Sequence, residues 1–497
     1  MTAREPQVIT PPHEIESSSR DSLLFLIVAT LLTSMAAAMG WGIRGQYGHE
    51  TGAMIAGGLA SLTLVLLFVP HASSLWAARA AAMMTVAIGI GGSMTYGQTV
   101  GLTHDHEILG NWEALRWGML GLFIKGGLWI GFGGALVGMG LSGQRYRPLE
   151  LAVLMLVLIG LMFLGIWTIN SPFDPENRIL PTIYFSDDWY FELDRDLKPR
   201  AEIWGGFLLA LTGLVAYVRW VRGDRLATRM ALVGILAGGL GFSGGQCVQT
   251  YHAWNPEVFT EGWLSTFSEY TRYFNWWNMM ETSFGAIWGA IMGIGLWFNR
   301  HLIHYDETHD EVTVAPTLEV LLIVTHVSLL LTSEFAELPG RLAFLNEYIE
   351  YGPIMSTIPL IGIVGGRLWP YLMVPTIVAL PICGKNAFFT GYLPEDVSVG
   401  MAWLLQIEIP LLVTLGVATY LIGRGFQGQT ANRYAAICLL VTSWLFFWLN
   451  TVLFDYSWPW REWNGRTPNQ LIFGICTVSL TIATVVCFST RPADKPR

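Results

Sequence analysis

Apolar runs of about 20 residues recur from one end of the chain to the other, separated by shorter polar stretches. A run of that length, wound as a helix, crosses a bilayer core of about 30 Å. The pattern therefore predicts an all-α polytopic integral membrane protein with roughly 14 transmembrane helices. The predicted spans are 23–41, 50–69, 76–100, 114–141, 149–169, 203–221, 227–247, 276–299, 315–334, 351–366, 369–383, 399–423, 434–454 and 469–489. Span 351–366 is short and carries proline, which suits a broken or re-entrant segment. Together the spans form one transmembrane domain, 23–489, flanked by polar tails over 1–22 and 490–497.

A second pattern lies inside the apolar one. "GQTVGLTH" (97–104) matches "GQCVQTYH" (245–252), and "GALVGMGL" (134–141) matches "GAIMGIGL" (289–296). Gly45-Gln46 supplies a third Gly-Gln pair at the end of a span. "ETGAMIAGG" (50–58), "ETSFGAIWG" (281–289) and "EIPLLVTLG" (408–416) each run from a glutamate to a glycine eight residues on. In "GGLWIGFGG" (126–134) glycine takes the glutamate's place, with Lys125 just before it. These matches predict parallel, outward-opening, Gly-rich hairpin repeats near 23–69, 76–141, 227–299 and 369–423.

Composition agrees with a lipid environment: 53% of residues are hydrophobic and 13% charged, where soluble domains carry roughly 25% charged residues. The net charge of −9 is dispersed and forms no basic stripe, so no nucleic-acid partner is expected. Arginines and lysines gather in 143–148, 219–229, 423–433 and the C-terminal tail, all on one side under this span count. Positive-inside bias makes that side cytoplasmic and puts both termini there, as in a bacterial inner (plasma) membrane protein. The opposite loops are rich in Trp, Tyr, Asn and acids. The five cysteines fall within apolar runs without disulfide or metal spacing, and read as small core residues. The small residues after the first run imitate a signal-peptide cleavage site, but the long, partly acidic leader favours a retained first helix.

Ionisable residues inside spans are functional candidates by default. Glu50, Lys125, Glu281 and Glu408 fall at similar depth in the outer half and are candidates for binding a coupling ion or substrate. Arg44, Gln46, Gln98, Gln246, Trp277 and Asn278 are the candidate substrate-binding residues, since guanidinium, amide and aromatic groups suit a polar solute. Each has a plainer use: helix-start acid for Glu50 and Glu281, snorkelling for Lys125, interhelical glue for the glutamines. His104, His106 and His252 are weak metal-ligand candidates, because "HDHE" lies in a loop without helical ligand spacing. "GFSG" (241–244) and His326 look like the serine–histidine pairing of rhomboid proteases, but Ser243 precedes the outer end of a span and does not open a helix. No GxxxxGK[ST] loop is present, which argues against ATP hydrolysis.

The expected function is a secondary active transporter, coupled to protons or sodium, for a polar small solute such as a sugar or organic anion. Its site would lie in the outer-leaflet half, with no cofactor beyond the coupling ion. A membrane-embedded transferase acting on a lipid-linked or sugar substrate at the outer face is the alternative. A non-catalytic subunit of a membrane complex is another. The partners implied are the small polar solute and the lipid bilayer, and the sequence leaves the oligomeric state open.

Overall fold

The computed structural model describes residues 22–45, 47–48, 50–185, 199–306, 310–336, 338–393, 397–453 and 458–489. The principal helices are α1 (Leu23–Arg44), α2 (Glu50–Phe68), α3 (Ser74–Ile90), α4 (Gly97–His104), α5 (Trp112–Leu141), α6 (Pro148–Ile169), α7 (Trp204–Ala216) and α8 (Arg225–Trp254). They continue with α9 (Trp276–Asn299), α10 (Pro316–Phe335), α11 (Gly352–Gly365), α12 (Trp369–Gly391), α13 (Val399–Gly425), α14 (Ala431–Leu453) and α15 (Thr467–Ser489). Thirteen of the helical segments among the described residues are long and apolar enough to cross a bilayer. The protein is an all-helical, multi-pass membrane protein. α11, with 14 residues and Pro359 inside it, is only about 21 Å long, yet it runs along most of α3, from Ser93, whose hydroxyl accepts the Gly352 N–H at 2.6 Å, back to Arg79, which donates to the Gly366 carbonyl at 2.8 Å. This is the short, proline-bearing segment that the sequence predicts over 351–366.

Six helices close into a ring: α1 packs on α2, α2 on α3, α3 on α5, α5 on α8, α8 on α9, and α9 back on α1. The hairpins α1–α2, α3–α5 and α8–α9 thus follow one another head to tail. Glycine makes the joints between hairpins possible. A Cβ on Gly289 of α9 would stand 2.4 Å from the Thr33 carbonyl oxygen of α1. One on Gly134 of α5 would stand 2.0 Å from the Met230 carbonyl of α8. Backbones this close gain dispersion contact that lipid cannot supply, as in small-residue helix packing generally. The centre of the ring is filled by aromatic side chains: Trp41 meets Phe284 at 4.5 Å and Trp129 at 4.9 Å, and Phe242 stacks on Phe284 at 4.6 Å.

Outside this ring, α6 and α7 pair on one flank, α14 and α15 on another, with α10–α13 completing the shell. α3 is wholly buried and α2 is buried from Thr51 on, whereas α6, α10, α13 and α15 expose Leu, Val and Ile along their outer faces. An apolar exterior of that kind is stable against acyl chains.

One span departs from the sequence expectation. The apolar run 76–100 does not continue as a helix: α3 gives way to a 3-10 turn at Gly91–Ser93, and the short α4 begins at Gly97. The cause is Trp129. Its indole nitrogen donates to the Ile88 carbonyl at 2.6 Å, taking the acceptor that the next helical turn would use. Gly91 admits the ring, since a Cβ there would lie 2.3 Å from it.

Candidate functional site

At one end of the ring α1 stops, α3 is broken and α9 begins. Arg44 ends α1 and is 1% exposed, while Glu281, in the second turn of α9, is 2% exposed. Arg44 Nη1 lies 3.5 Å from Glu281 Oε1 and 2.5 Å from the Tyr96 hydroxyl. Tyr96 follows the break in α3, which brings its hydroxyl within 3.2 Å of the same carboxylate oxygen. Trp277 Nε1 donates to Glu281 Oε1 at 3.3 Å, and Asn278 Nδ2 donates to Oε2 at 3.2 Å and to the Gly42 carbonyl at 2.6 Å. The guanidinium sits 5.2 Å from the centroids of Trp41, Tyr96 and Trp129. A charge buried in protein is tolerable only when paired and hydrogen-bonded, and both members here are. Gly45, itself exposed, lies over Glu281 Oε2: a Cβ there would stand 2.1 Å from that oxygen.

α4 connects this cluster to three further polar contacts. Thr99 accepts from Lys125 at 2.8 Å, and Lys125 forms a buried ion pair with Glu202 at 2.5 Å. Glu202 also accepts the Phe185 backbone N–H at 2.9 Å. Gln246 of α8 donates to Thr103 Oγ1 at 2.7 Å, and Gln98 accepts the Arg200 backbone N–H at 3.0 Å. Lys125 thus does not snorkel to water.

Glu50 opens α2, within the electrostatic reach of Glu334, Arg44 and Lys385. Lys385 pairs with Glu334 at 2.9 Å and donates to the Tyr47 carbonyl at 2.7 Å, while Thr51 donates to Glu334 at 2.7 Å. Beside this triad lies a set of buried amides. Asn386, next to Lys385, donates to the Leu449 carbonyl at 2.7 Å, and Gln470 of α15 donates to Thr451 of α14. Asn386 Oδ1, Gln470 Oε1 and both amide atoms of Asn450 and Asn469 have no hydrogen-bond partner among the described residues. Buried amides are normally satisfied, and unpaired amide atoms recur elsewhere among the described residues, including Gln246 Oε1 and Asn278 Oδ1 of the first cluster.

The structure brings together Arg44, Glu281, Trp277 and Asn278, and links Lys125, Gln98 and Gln246 to the same site through α4, while Glu50 stays within electrostatic range of Arg44 without a direct contact among the described residues. Gln46 lies outside the described residues. Glu408 does not join them. The π turn Leu404–Glu408 shifts the helix register, burying Gln406 and leaving Glu408 exposed on α13. The histidines are used separately: His104 packs on Trp277 with Nδ1 at 2.9 Å from the Val100 carbonyl, His252 stacks on Trp276 at 4.1 Å, and His106 is exposed. No cluster of three metal-ligating side chains is found among the described residues. Ser243 faces the Met119 carbonyl at 3.2 Å and His326 pairs with Tyr348 at 2.8 Å, so they have different partners and form no dyad. No protein-family model matches the chain, and no curated protein matches it.

Sequence reasoning misses Tyr96, Glu202, Glu334 and the amides of α14 and α15, whereas Lys385 and Asn386 fall in "CGKNAFF" (383–389), readable as a degenerate Gly-Gln site. Tyr96 reads as one more interfacial aromatic, and Glu202 ends a long loop with nothing nearby to mark it. Asn450, Asn469 and Gln470 do carry a readable signal, since amides at the ends of two adjacent apolar runs are unusual.

Proposed function

We propose that the protein is a secondary active transporter, driven by protons or sodium, that moves a polar small solute such as a sugar or organic anion. The observation that carries this reading is the Arg44–Glu281 pair, buried directly beneath the exposed Gly45. Transporter sites are commonly built where helices are discontinuous near the repeat interface, and here α1 ends, α3 breaks and α9 begins around one ion pair. A cation or proton on Glu281 would cancel its attraction for Arg44 and loosen α1 from α9, the joint made by Gly289 and its neighbours. Glu50, with no ion pair within 4.0 Å among the described residues, is the second carboxylate available to the coupling ion.

The amides of Asn386, Asn450, Asn469 and Gln470 suit hydroxyl groups, because each amide both donates and accepts. They make a polyhydroxylated solute the better fit within that class. The head-to-tail ring supports reading the three hairpins as parallel repeats that rock against one another in alternating access. The positive loops favour cytoplasmic termini and, for a bacterial cell, the inner membrane. The reading requires no enzyme chemistry.

A panel of sugars, polyols and organic anions, screened for thermal stabilisation of the purified protein, tests the solute class. A hit present at 100 times its dissociation constant stabilises by about 2.7 kcal/mol. The stabilisation should vanish in Asn469→Ala. A panel without any hit, or a hit indifferent to Asn469 and Glu281, contradicts the reading.

A further inference from the structure

The opposite face of the molecule carries a second feature, independent of the transport reading. Two clefts meet there, and Arg147 lines both. The first has a mixed lining, with Arg79, Gln144, Arg145 and Glu311 set among apolar residues such as Trp76 and Met139. Arg145 is 40% exposed and pairs with Glu311 at 2.5 Å. Arg222 braces the loop from below, donating to the Arg145 carbonyl at 2.7 Å and lying 5.1 Å over the Tyr146 ring. The carboxylates nearby are already engaged: Glu150 with Arg222 at 3.4 Å, and Asp224 with Tyr146 at 2.7 Å and Ser142 at 2.6 Å. Arg147 is exposed and has no ion pair within 4.0 Å among the described residues.

The second cleft is an open, mostly apolar groove of about 550 Å³ between α6 and α7. Leu149, Val153, Leu154, Val157 and Leu158 form one wall, Gly213 and Tyr217 the other, and Glu150 stands at the mouth beside Arg147, its carboxylate held by Arg222 and Tyr217. From Leu149 to Leu158 the helix rises about 14 Å, which is about half the hydrocarbon thickness of a bilayer. The groove therefore starts at an unpaired cation and runs down for the depth of one leaflet.

We propose that this is a binding site for an anionic glycerophospholipid, with its phosphate on Arg147 and Arg145 and one acyl chain in the groove between α6 and α7. The charge at the mouth and the leaflet-deep apolar floor fit that molecule jointly. A soluble phosphate would use only the first cleft, and a neutral lipid only the second. Basic pockets between transmembrane helices are known to select anionic headgroups.

The test is thermal unfolding of the full chain in detergent, titrated with phosphatidylglycerol, phosphatidylcholine of the same acyl chains, or glycerol 3-phosphate. The unfolding midpoint should rise with phosphatidylglycerol, rise clearly less with phosphatidylcholine, and not move with glycerol 3-phosphate. Arg147→Gln and Arg145→Gln should each weaken phosphatidylglycerol binding about fivefold. Both are exposed, so the unliganded midpoint should hold. Val153→Trp, which fills the groove from a position 53% exposed, should weaken both lipids. Equal responses to the two lipids, a full response to glycerol 3-phosphate, or undiminished selectivity in the double arginine variant would overturn the proposal.

Discussion

Glu281 Oε1 is within hydrogen-bonding reach of Arg44, Tyr96 and Trp277, so the carboxylate is held from several sides while Gly45 covers its other oxygen. Substituting Gly45 by Val should therefore push the carboxylate out of place. Uptake should fall at least tenfold while the fold loses about 1–3 kcal/mol, read by transport assay and thermal denaturation together. The Lys125–Glu202 pair behaves differently, because it is sealed among the helices on every side. Glu202→Gln leaves a buried ammonium uncompensated and should cost about 3–5 kcal/mol, whereas Lys125→Met with Glu202→Leu should restore most of the stability in a denaturation experiment. At this scale the sequence is informative about which residues are ionisable inside spans and silent about their partners. Glu281 and Lys125 stand out among apolar neighbours, but Glu202 meets Lys125 across 77 positions and Tyr96 meets Glu281 across 185. Glu408 shows the reverse error: apolar neighbours in sequence suggest burial, and a π turn rotates it outward.

Helices that look alike in sequence differ in what their glycines touch. Gly289 faces the Thr33 carbonyl at backbone contact, while a Cβ on Gly416, the corresponding residue of "EIPLLVTLG", would meet nothing within 4 Å. Gly289→Leu should thus destabilise by about 3 kcal/mol or more, and Gly416→Leu should stay within about 0.5 kcal/mol, as measured by thermal unfolding in one detergent. The 408–416 segment uses its glycine differently from the others, a distinction that needs neighbours and not only spacing. The break between α3 and α4 has the same lesson. Gly91 and Gly92 sit in a run apolar enough to pass as a continuous span, and what stops the helix is an indole from α5. Trp129→Phe removes that donor while keeping most of the ring. It should weaken transport more than it lowers the unfolding midpoint, if the break serves to present Tyr96.

For the whole molecule, the hydrophobic pattern suffices for architecture because the bilayer sets a fixed length and leaves the helix as the simplest solution. Span limits from sequence mostly fall within a few residues of the helix ends, and the short proline-bearing segment is where it is expected. What the pattern does not contain is neighbourhood. That α9 returns to α1 and closes a ring depends on glycines of α9 set against α1 residues more than 240 positions away, as Gly289 is against Thr33. The ring in turn makes Arg44 and Glu281 a pair, and that pair is the centre of the transport account.

The most direct measurement is gradient-driven uptake of an identified solute into proteoliposomes, with the native protein and Glu281→Gln compared under an imposed proton or sodium gradient. The account predicts concentrative uptake by the native protein, abolished in Glu281→Gln while passive exchange of solute persists. Gradient-driven accumulation that is unchanged in Glu281→Gln would contradict it.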